Sequence, residues 1–556
     1  MNKKVLIVGG VAGGASAATR LRRLEEDTEI IIFERGEYIS YANCGLPYYL
    51  SDVIKERDKL IVQTPEGMKR RFNIDVRVNS EVMSIYPTEK EIEVQDSNGR
   101  TYRESYDRLV LSTGSAPIKP PIKGLDLVKS FVVRSVSDID QIKAFLDKQQ
   151  PQKVTIIGGG FIGLEVAENL VARNVKTTIV EMGNQVMAPL DFDMVVNVHK
   201  HLRAQGVDLI LNDGVAAFET EDHQTEVILQ SGQRVATDFV ILAIGVKPEI
   251  KLAKEAGLEI GKLGGIKVNQ KLETSDPNIY ALGDVIEVNN IVTGQATLIP
   301  LAGPANKQGR IVADVIARHK ASYKGTQGTA IAKIFDLAVA STGANEKTLK
   351  SLGIPYQVSF THPVSSAGYY PGSTAMSIKL IFAPETGKIL GAQIVGTSGV
   401  DKRIDDIAAA LGRGDTVFDL TELELAYAPP FSSAKDPVNM AGYVAANIVN
   451  GDVSVIHWHQ LGELDLQTTV VIDVRTEAEY KAGHISGSIL IPVDEIRDRL
   501  AEFPQDKEIV VYCRVGLRGY LACRILQGHG FNKVKNLSGG WLTYYPAISE
   551  KAIASR

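Results

Sequence analysis

Several short runs in this chain are apolar at nearly every position, without alternation, and each leads into glycines followed by a stretch of small or helix-forming residues. Lys4 to Val8 is such a run, followed by Gly9-Gly10-Val11-Ala12-Gly13-Gly14 and the small-residue segment Ala15-Ser16-Ala17-Ala18. Uniformly apolar runs of this length fit strands buried on both faces of a parallel sheet, and the segment behind the glycines then reads as the returning helix. Val154-Thr155-Ile156-Ile157 begins a second copy of the pattern, with Gly158-Gly159-Gly160-Phe161-Ile162-Gly163 and the helix Leu164-Glu165-Val166-Ala167 behind it. Between about 326 and 450 the texture changes: strand-like stretches such as Met376 to Ile381 mix with a helical segment, Asp405 to Leu411. After Gly451-Asp452 a new α/β alternation begins with Val470-Val471-Ile472-Asp473 and Ile509-Val510-Val511-Tyr512. The expected fold class is therefore α/β, with an α+β segment before the last domain.

A glycine turn at the start of a helix presents backbone amides to a pyrophosphate. The second loop matches G-x-G-x-x-G through Gly158, Gly160 and Gly163, whereas in the first, Gly9, Gly10, Gly13 and Gly14 surround Val11 where the middle glycine belongs. Each loop has an acidic partner at the end of the following strand: Glu34 after Ile30-Ile31-Ile32-Phe33, and Glu181 after Thr177-Thr178-Ile179-Val180. A carboxylate there accepts hydrogen bonds from an unmodified ribose and repels a 2′-phosphate, so Glu181 predicts acceptance of NADH without excluding NADPH.

Composition narrows the class. At 556 residues the chain is several domains long, and a net charge of −5 spread over 23% charged residues predicts neither nucleic acid nor an anionic membrane as partner. No apolar run approaches the roughly 18 residues of a membrane span. Three cysteines are too few for a disulfide framework and suit a reducing, cytoplasmic compartment. No set of metal ligands is expected: His457 and His459, beside Trp458, lack further ligands at a suitable spacing.

The candidate chemistry centres on Cys44 in Ser40-Tyr41-Ala42-Asn43-Cys44-Gly45-Leu46-Pro47-Tyr48. An enzyme that handled disulfides with its own cysteine pair would need a second sulfur a few residues away, yet the next cysteine is Cys513. Cys44 is therefore expected to pair with a sulfur that is not a neighbouring thiol of this protein.

Further landmarks follow in order: Leu109-Val110-Leu111-Ser112-Thr113-Gly114, Ile241-Leu242-Ala243-Ile244-Gly245, and Ile279-Tyr280-Ala281-Leu282-Gly283-Asp284. With the two loops, these resemble the flavin-containing pyridine nucleotide-disulfide oxidoreductases over about residues 1–450. The resemblance implies two Rossmann-like domains: an FAD domain from segments 1–120 and 250–325, with Asp284 on the ribityl chain, interrupted by an NAD(P)H domain at 121–249, and a dimerisation domain at 326–450 in a homodimer. A single cysteine in that setting resembles NADH oxidases, NADH peroxidases and coenzyme A-disulfide reductases. The oxidase and peroxidase members carry a histidine where this chain has Ala12. That residue, the Ser40–Tyr48 motif, Tyr369-Tyr370-Pro371-Gly372 and Tyr427-Ala428-Pro429-Pro430 point to the coenzyme A-disulfide reductase branch. The resemblance then implies that NAD(P)H reduces FAD, that two electrons pass to Cys44, and that Cys44 forms a mixed disulfide with coenzyme A. It further implies that Asn43 bonds near the sulfur and that Tyr369 and Tyr427 come from the other subunit to protonate the leaving thiolate. For the phosphorylated adenosine of coenzyme A it selects Ser16, Arg20, Arg23, Ser40, Arg71 and Lys435, Arg20 and Arg23 sharing one helix face; a solvated basic face is the plainer reading of any one of these arginines. Asn306 and Lys307 stay unassigned. An NADH oxidase or peroxidase acting at Cys44 is the alternative.

At the C-terminus, a strand runs into Cys513-Arg514-Val515-Gly516-Leu517-Arg518, so loop amides and two arginines are aimed at a sulfur, which favours its anionic or persulfide form. With Gly483-His484-Ile485 and Leu537-Ser538-Gly539-Gly540-Trp541, this resembles a rhodanese domain at about 455–556. Cys513 and Arg518 are its candidate catalytic residues and handle sulfane sulfur in this reading; a non-catalytic sensing module is the alternative. Cys523 is expected to be packing, with resolution of a persulfide as the alternative. If the joining segment is a short flexible linker, tethering raises the effective concentration of one site at the other into the millimolar range.

Overall fold

In the computed structural model, which describes residues 3–221 and 224–554, the first apolar run forms the central strand, Lys4–Val8, of a five-stranded parallel sheet. Its neighbours are Glu29–Phe33 and Arg108–Leu111, flanked by Asp75–Arg77 and Ile279–Ala281. The last strand comes from far along the chain, so two separated segments build one sheet and one core. The helix Ala12–Leu24 buries Ala15, Ala17, Ala18 and Leu21, and packs closely against the helix Ala302–Ile316. Small residues along the first helix permit that approach: a Cβ at Gly309 would lie 2.4 Å from the Gly13 carbonyl.

The second apolar run, Lys153–Ile157, is the middle strand of another five-stranded parallel sheet, between Lys176–Val180 and Phe239–Leu242, with the helix Phe161–Val171 behind it. Both sheets belong to one compact unit, residues 1–183 and 206–328. Sequential strands joined by helices leave the nucleotide loops at the carboxyl ends of their strands, where parallel α/β sheets bind ligands.

A second unit gathers residues 184–205 with 329–556. It holds an antiparallel sheet ordered Ala330–Ile334, Leu337–Gly343, Ile389–Gly396, Met376–Phe382, Gln357–Thr361, covered by the helices Val400–Arg413 and Pro437–Val449. It also holds a five-stranded parallel sheet from Ser454–Ile456, Val534–Leu537, Glu508–Tyr512, Thr469–Asp473 and Ile489–Leu490. The helix Phe192–Ala204 bridges the two. Lys379 is fully buried, and its Nζ donates to Asp193 at 2.8 Å and to Glu346 and lies 3.1 Å from Asp191. Burial opposes the ammonium, but three carboxylates outweigh it and raise the lysine pKa; burial pushes the Asp193 carboxyl up. Trp458 Nε1 donates to the same Asp193 at 3.2 Å, and Glu550, on the last helix, accepts from Arg203 Nη1 at 2.7 Å and pairs with His199 Nδ1 at 2.9 Å.

The segment that joins the last domain is packed. Ser454–Ile456 is paired in parallel with Val534–Leu537, and Trp458 is 6% exposed. Breaking a buried charge pair costs about 3–5 kcal/mol, so the bonds of Trp458 to Asp193 and of Glu550 to His199 and Arg203 hold the last domain against the helix Phe192–Ala204. His457 makes a ring-nitrogen hydrogen bond to Gln357 at 3.2 Å. Among the described residues no group of three or more His, Cys, Asp or Glu forms a metal site, and no helix is long and apolar enough to cross a membrane.

Candidate functional site

The two glycine loops fold alike. Gly9 has φ +98° and Gly158 φ +104°, and a Cβ on them would lie 2.2 Å from the Ser112 carbonyl and 2.4 Å from that of Ala243. Gly14 and Gly163 close the helix onto its own loop, a Cβ there meeting the Gly9 and Gly158 carbonyls at 1.9 and 2.2 Å. A Cβ on Gly160 would meet nothing within 4 Å, which leaves the loop face open to a phosphate. The acidic partners are also equivalent. Glu34 accepts from Gly10 N at 3.0 Å and Gly36 N at 2.9 Å, and Glu181 from Gly159 N and Gly183 N, both at 2.8 Å. Each carboxylate is thereby held at the loop mouth with lone pairs to spare for a ribose.

One cavity of about 1010 Å³ runs from the first loop to the cysteine. Gly9, Ala12, Gly13, Ser16, Glu34, Ser40, Asn43, Cys44, Thr113, Gly114, Gly283 and Asp284 all line it, so the structure brings together residues spread from position 9 to position 284. Its size and length suit a dinucleotide cofactor with room for a second ligand. Three details of the wall fit such a group. Asp284 accepts from Ser115 Oγ at 2.9 Å and is thereby oriented; Gly283 N donates to Gln308 Oε1 at 2.7 Å; and Asn43 Oδ1 is buried with no hydrogen-bond partner, an acceptor that a bound group would satisfy. Gly245 adopts φ +111°, and the Thr113 hydroxyl donates to the Glu249 carbonyl at 2.8 Å.

Cys44 is exposed, in a single 3₁₀ turn, Asn43–Gly45, that leads into the helix Leu46–Leu50. The pocket wall desolvates its sulfur and pushes the thiol pKa up, with the Glu165 and Asp284 carboxylates adding to the effect. Glu165 escaped the sequence reading, where it looked like an ordinary polar position on the helix behind the second loop. Folding brings it near Cys44, where Tyr48 Oη donates to it at 3.4 Å. Burial lifts Glu165 to about 7, with Glu168 contributing. Above that pH its charge opposes the Cys44 thiolate; below it the charge is gone. Glu165→Gln should therefore shift Cys44 alkylation by iodoacetamide, measured in reduced enzyme, towards lower pH and remove the step near 7. An unchanged profile would show that the two groups are not coupled.

The cations chosen for a phosphorylated ligand differ in availability. Arg20 donates to Asp314 at 2.8 Å and so offers a neutralised face, while Arg23 and Arg71 are exposed. Ser16 donates to Asn306, a residue the sequence reading left unassigned. In the second unit Lys435 is exposed, and Tyr369 and Tyr427, 78% and 47% exposed, place their hydroxyls 3.3 Å apart.

The second sulfur centre lies in the parallel sheet of the same unit. Cys513 directly follows the strand Glu508–Tyr512 and is buried, with Gly516 N donating to its Sγ at 3.1 Å. Arg518 reaches the sulfur's surroundings but is held by Glu479 through two bonds of 2.7 Å, and this pairing keeps Glu479 at about 2. Cys523 is core: burial pushes its thiol up to about 12, which removes it as a resolving nucleophile at neutral pH.

Three family models match successive stretches of the chain. The pyridine nucleotide-disulphide oxidoreductase family matches residues 3–309, its dimerisation domain 329–437, and the rhodanese-like domain 458–546. A crystal structure of reduced Bacillus anthracis CoADR-RHD is 54% identical with a TM-score of 0.97, over 99% of both chains. The structure of an NAD-dependent persulfide reductase from A. fulgidus is 37% identical with a TM-score of 0.91, over 97% of this chain and all of that one. A coenzyme A disulfide reductase from Staphylococcus haemolyticus is 36% identical over 448 residues, 80% of this chain and 100% of its own length. A Methanocaldococcus jannaschii protein named NADH oxidase is 36% identical over 439 residues, 79% of this chain and 97% of its own length.

Proposed function

Because the chain belongs to the pyridine nucleotide-disulphide oxidoreductase family, we propose that it is an FAD-dependent NAD(P)H:coenzyme A-disulfide reductase that also reduces coenzyme A persulfide or polysulfide. One observation carries the choice of substrate: Cys44 stands alone in the dinucleotide cavity, while Cys513 and Cys523 are both buried elsewhere in the chain. A disulfide made at Cys44 must therefore borrow its second sulfur from the substrate. The oxidase reading would want a proton-managing imidazole in the first loop, and Ala12 has none to offer.

The chain's own residues support the following chemistry. The Cys44 thiolate attacks one sulfur of the coenzyme A disulfide; the S–S bond breaks, the Cys44–coenzyme A mixed disulfide forms, and one coenzyme A thiolate leaves with the electron pair. With coenzyme A persulfide the same attack at the inner sulfur releases hydrosulfide. Bound FAD supplies the two-electron chemistry that brings NAD(P)H reducing equivalents to sulfur. Two-electron reduction of the mixed disulfide restores the Cys44 thiolate and frees the second coenzyme A thiol. Asn43 is at hand to orient the sulfur, and the paired phenols of Tyr369 and Tyr427, delivered by the partner subunit of a homodimer, protonate the departing thiolate. The Tyr369 hydrogen bond raises the Tyr427 pKa, and a phenol, with an ordinary pKa of about 10, carries its proton at neutral pH in any case. Ser16, Ser40, Arg20, Arg23, Arg71 and Lys435 receive the phosphates of coenzyme A, with Arg20 shared between ligand and Asp314. Glu181 favours NADH. Three unpaired cysteines suit work in a reducing cytoplasm. Cys513, cradled by the Gly516 amide with Arg518 nearby, carries sulfane sulfur as a persulfide.

Mass spectrometry of the oxidised, purified protein tests this reading directly. Cys44 should carry one coenzyme A in disulfide linkage, released by NADH. Cys44 stably joined to Cys513 or Cys523 would overturn it.

A further inference from the structure

We propose that His362, outside the rhodanese-like sequence, is a positioning residue for the Cys513 loop, acting through Thr543. The inference rests on the reading of Cys513 as a sulfane-sulfur carrier and adds to it a control from the neighbouring antiparallel sheet.

His362 directly follows the edge strand Gln357–Thr361. Its ring lies between two hydroxyls, with Nδ1 3.0 Å from Ser377 Oγ and Nε2 2.9 Å from Thr543 Oγ1. Burial holds the imidazole far below its usual range, at about 4, so at neutral pH one nitrogen donates and the other accepts. Thr543 is buried in the first turn of the helix Gly540–Ala554. The first amides of that helix reach the sulfur loop: Trp541 N donates to the Cys513 carbonyl at 2.8 Å and Leu542 N to the Arg514 carbonyl at 3.0 Å. Those two bonds set the peptide planes that lead to Gly516, whose N–H points at the sulfur.

Two glycines make the path tight. A Cβ on Gly539, at φ +74°, would sit 2.1 Å from Thr543 Oγ1 and 2.7 Å from Phe360 Cβ, so the turn is pressed onto the antiparallel sheet. A Cβ on Gly540, at φ +57°, would sit 2.4 Å from the Cys513 carbonyl oxygen. Phe360 N donates to Ser538 Oγ at 3.3 Å and completes the contact. The sulfur loop is therefore braced by backbone on one side and, through one imidazole, by the other sheet. A helix start held at a single register keeps the loop amides on a thiolate or persulfide; a loosened start spreads them over several orientations.

The test uses the full-length protein with thiosulfate and cyanide. The Cys513 thiolate takes the outer sulfur of thiosulfate, its S–S bond breaking to release sulfite and leave a Cys513 persulfide; cyanide then takes that sulfur as thiocyanate and returns the thiolate. Thiocyanate formation is followed against pH for wild type, His362→Ala, His362→Gln and Thr543→Val, with NADH-driven coenzyme A disulfide reduction read in parallel. His362→Ala and Thr543→Val should lower kcat/KM for thiosulfate about tenfold, the scale of one to two lost hydrogen bonds, and move the rising limb of the pH profile upward. His362→Gln, whose amide reaches for Thr543, should recover part of both. The reductase rate should stay within about twofold. Should His362→Ala fold poorly, the near-isosteric Thr543→Val still reports on the brace. Wild-type rate and an unshifted pH limb in Thr543→Val would overturn the positioning role. No thiocyanate from wild type would overturn the sulfur-carrier reading itself, a separate failure.

Discussion

Cys44→Ser should abolish turnover of coenzyme A disulfide and persulfide while NADH still reduces the bound flavin at close to the wild-type rate. The separation follows from the layout of the first unit. The second glycine loop, Gly158 to Gly163, and Glu181 sit at the end of their own parallel sheet, whereas Cys44 is carried by the separate turn Asn43–Gly45 in the cavity of the first loop. A hydroxyl at position 44 keeps the shape of the pocket but cannot form the mixed disulfide, because an alcohol neither ionises at neutral pH nor bonds reversibly to sulfur as a thiolate does. Stopped-flow flavin bleaching and steady-state NADH consumption with coenzyme A disulfide measure the two halves separately. Loss of flavin reduction in this variant would mean that Cys44 serves the nucleotide step, and the division of labour given above would fall.

Tyr369→Phe with Tyr427→Phe should depress turnover by about 10²–10⁴-fold, the range of a positioned general acid, with flavin content unchanged. The two hydroxyls lie 3.3 Å apart on an exposed surface, and removing both oxygens takes away the proton supply while leaving the rings to pack. Since the leaving thiolate is the group that needs the proton, the loss should be in kcat more than in KM. A coenzyme A analogue with a more acidic leaving thiol should recover part of the rate, because such a thiolate departs without help. Wild-type turnover in the double variant would remove the tyrosines from the chemistry.

How much of the site could be read along the chain depends on how local its physics is. The nucleotide loops were legible because a buried strand, a glycine turn at positive φ and an acidic residue after the next strand are each fixed by neighbours a few positions away. The same holds for the Cys513 loop, where strand, glycine and helix start are contiguous. Glu165 was not legible. Its raised pKa arises from burial beside Cys44 and Tyr48, more than a hundred residues earlier, and nothing in its own helix announces that. Arg20 illustrates the converse: its place on the first helix suggested a free cation, and only the fold supplied Asp314, 294 positions away, to occupy it.

The sequence by itself determined the strand and loop chemistry, the lone thiol at Cys44 and the second sulfur at Cys513, because apolar periodicity, glycine torsions and the absence of a partner cysteine act over short stretches. Tertiary structure alone decided how the C-terminal domain is attached. An isolated lysine in an apolar strand and two acids two residues apart carry no sign of each other, yet Lys379, Asp191, Asp193 and Glu346 meet in the interior, and Trp458 and Glu550 fasten the last domain to the same helix. Such a buried charge has no stable state except with its partners, and those partners come from segments of the chain that only the completed fold brings together.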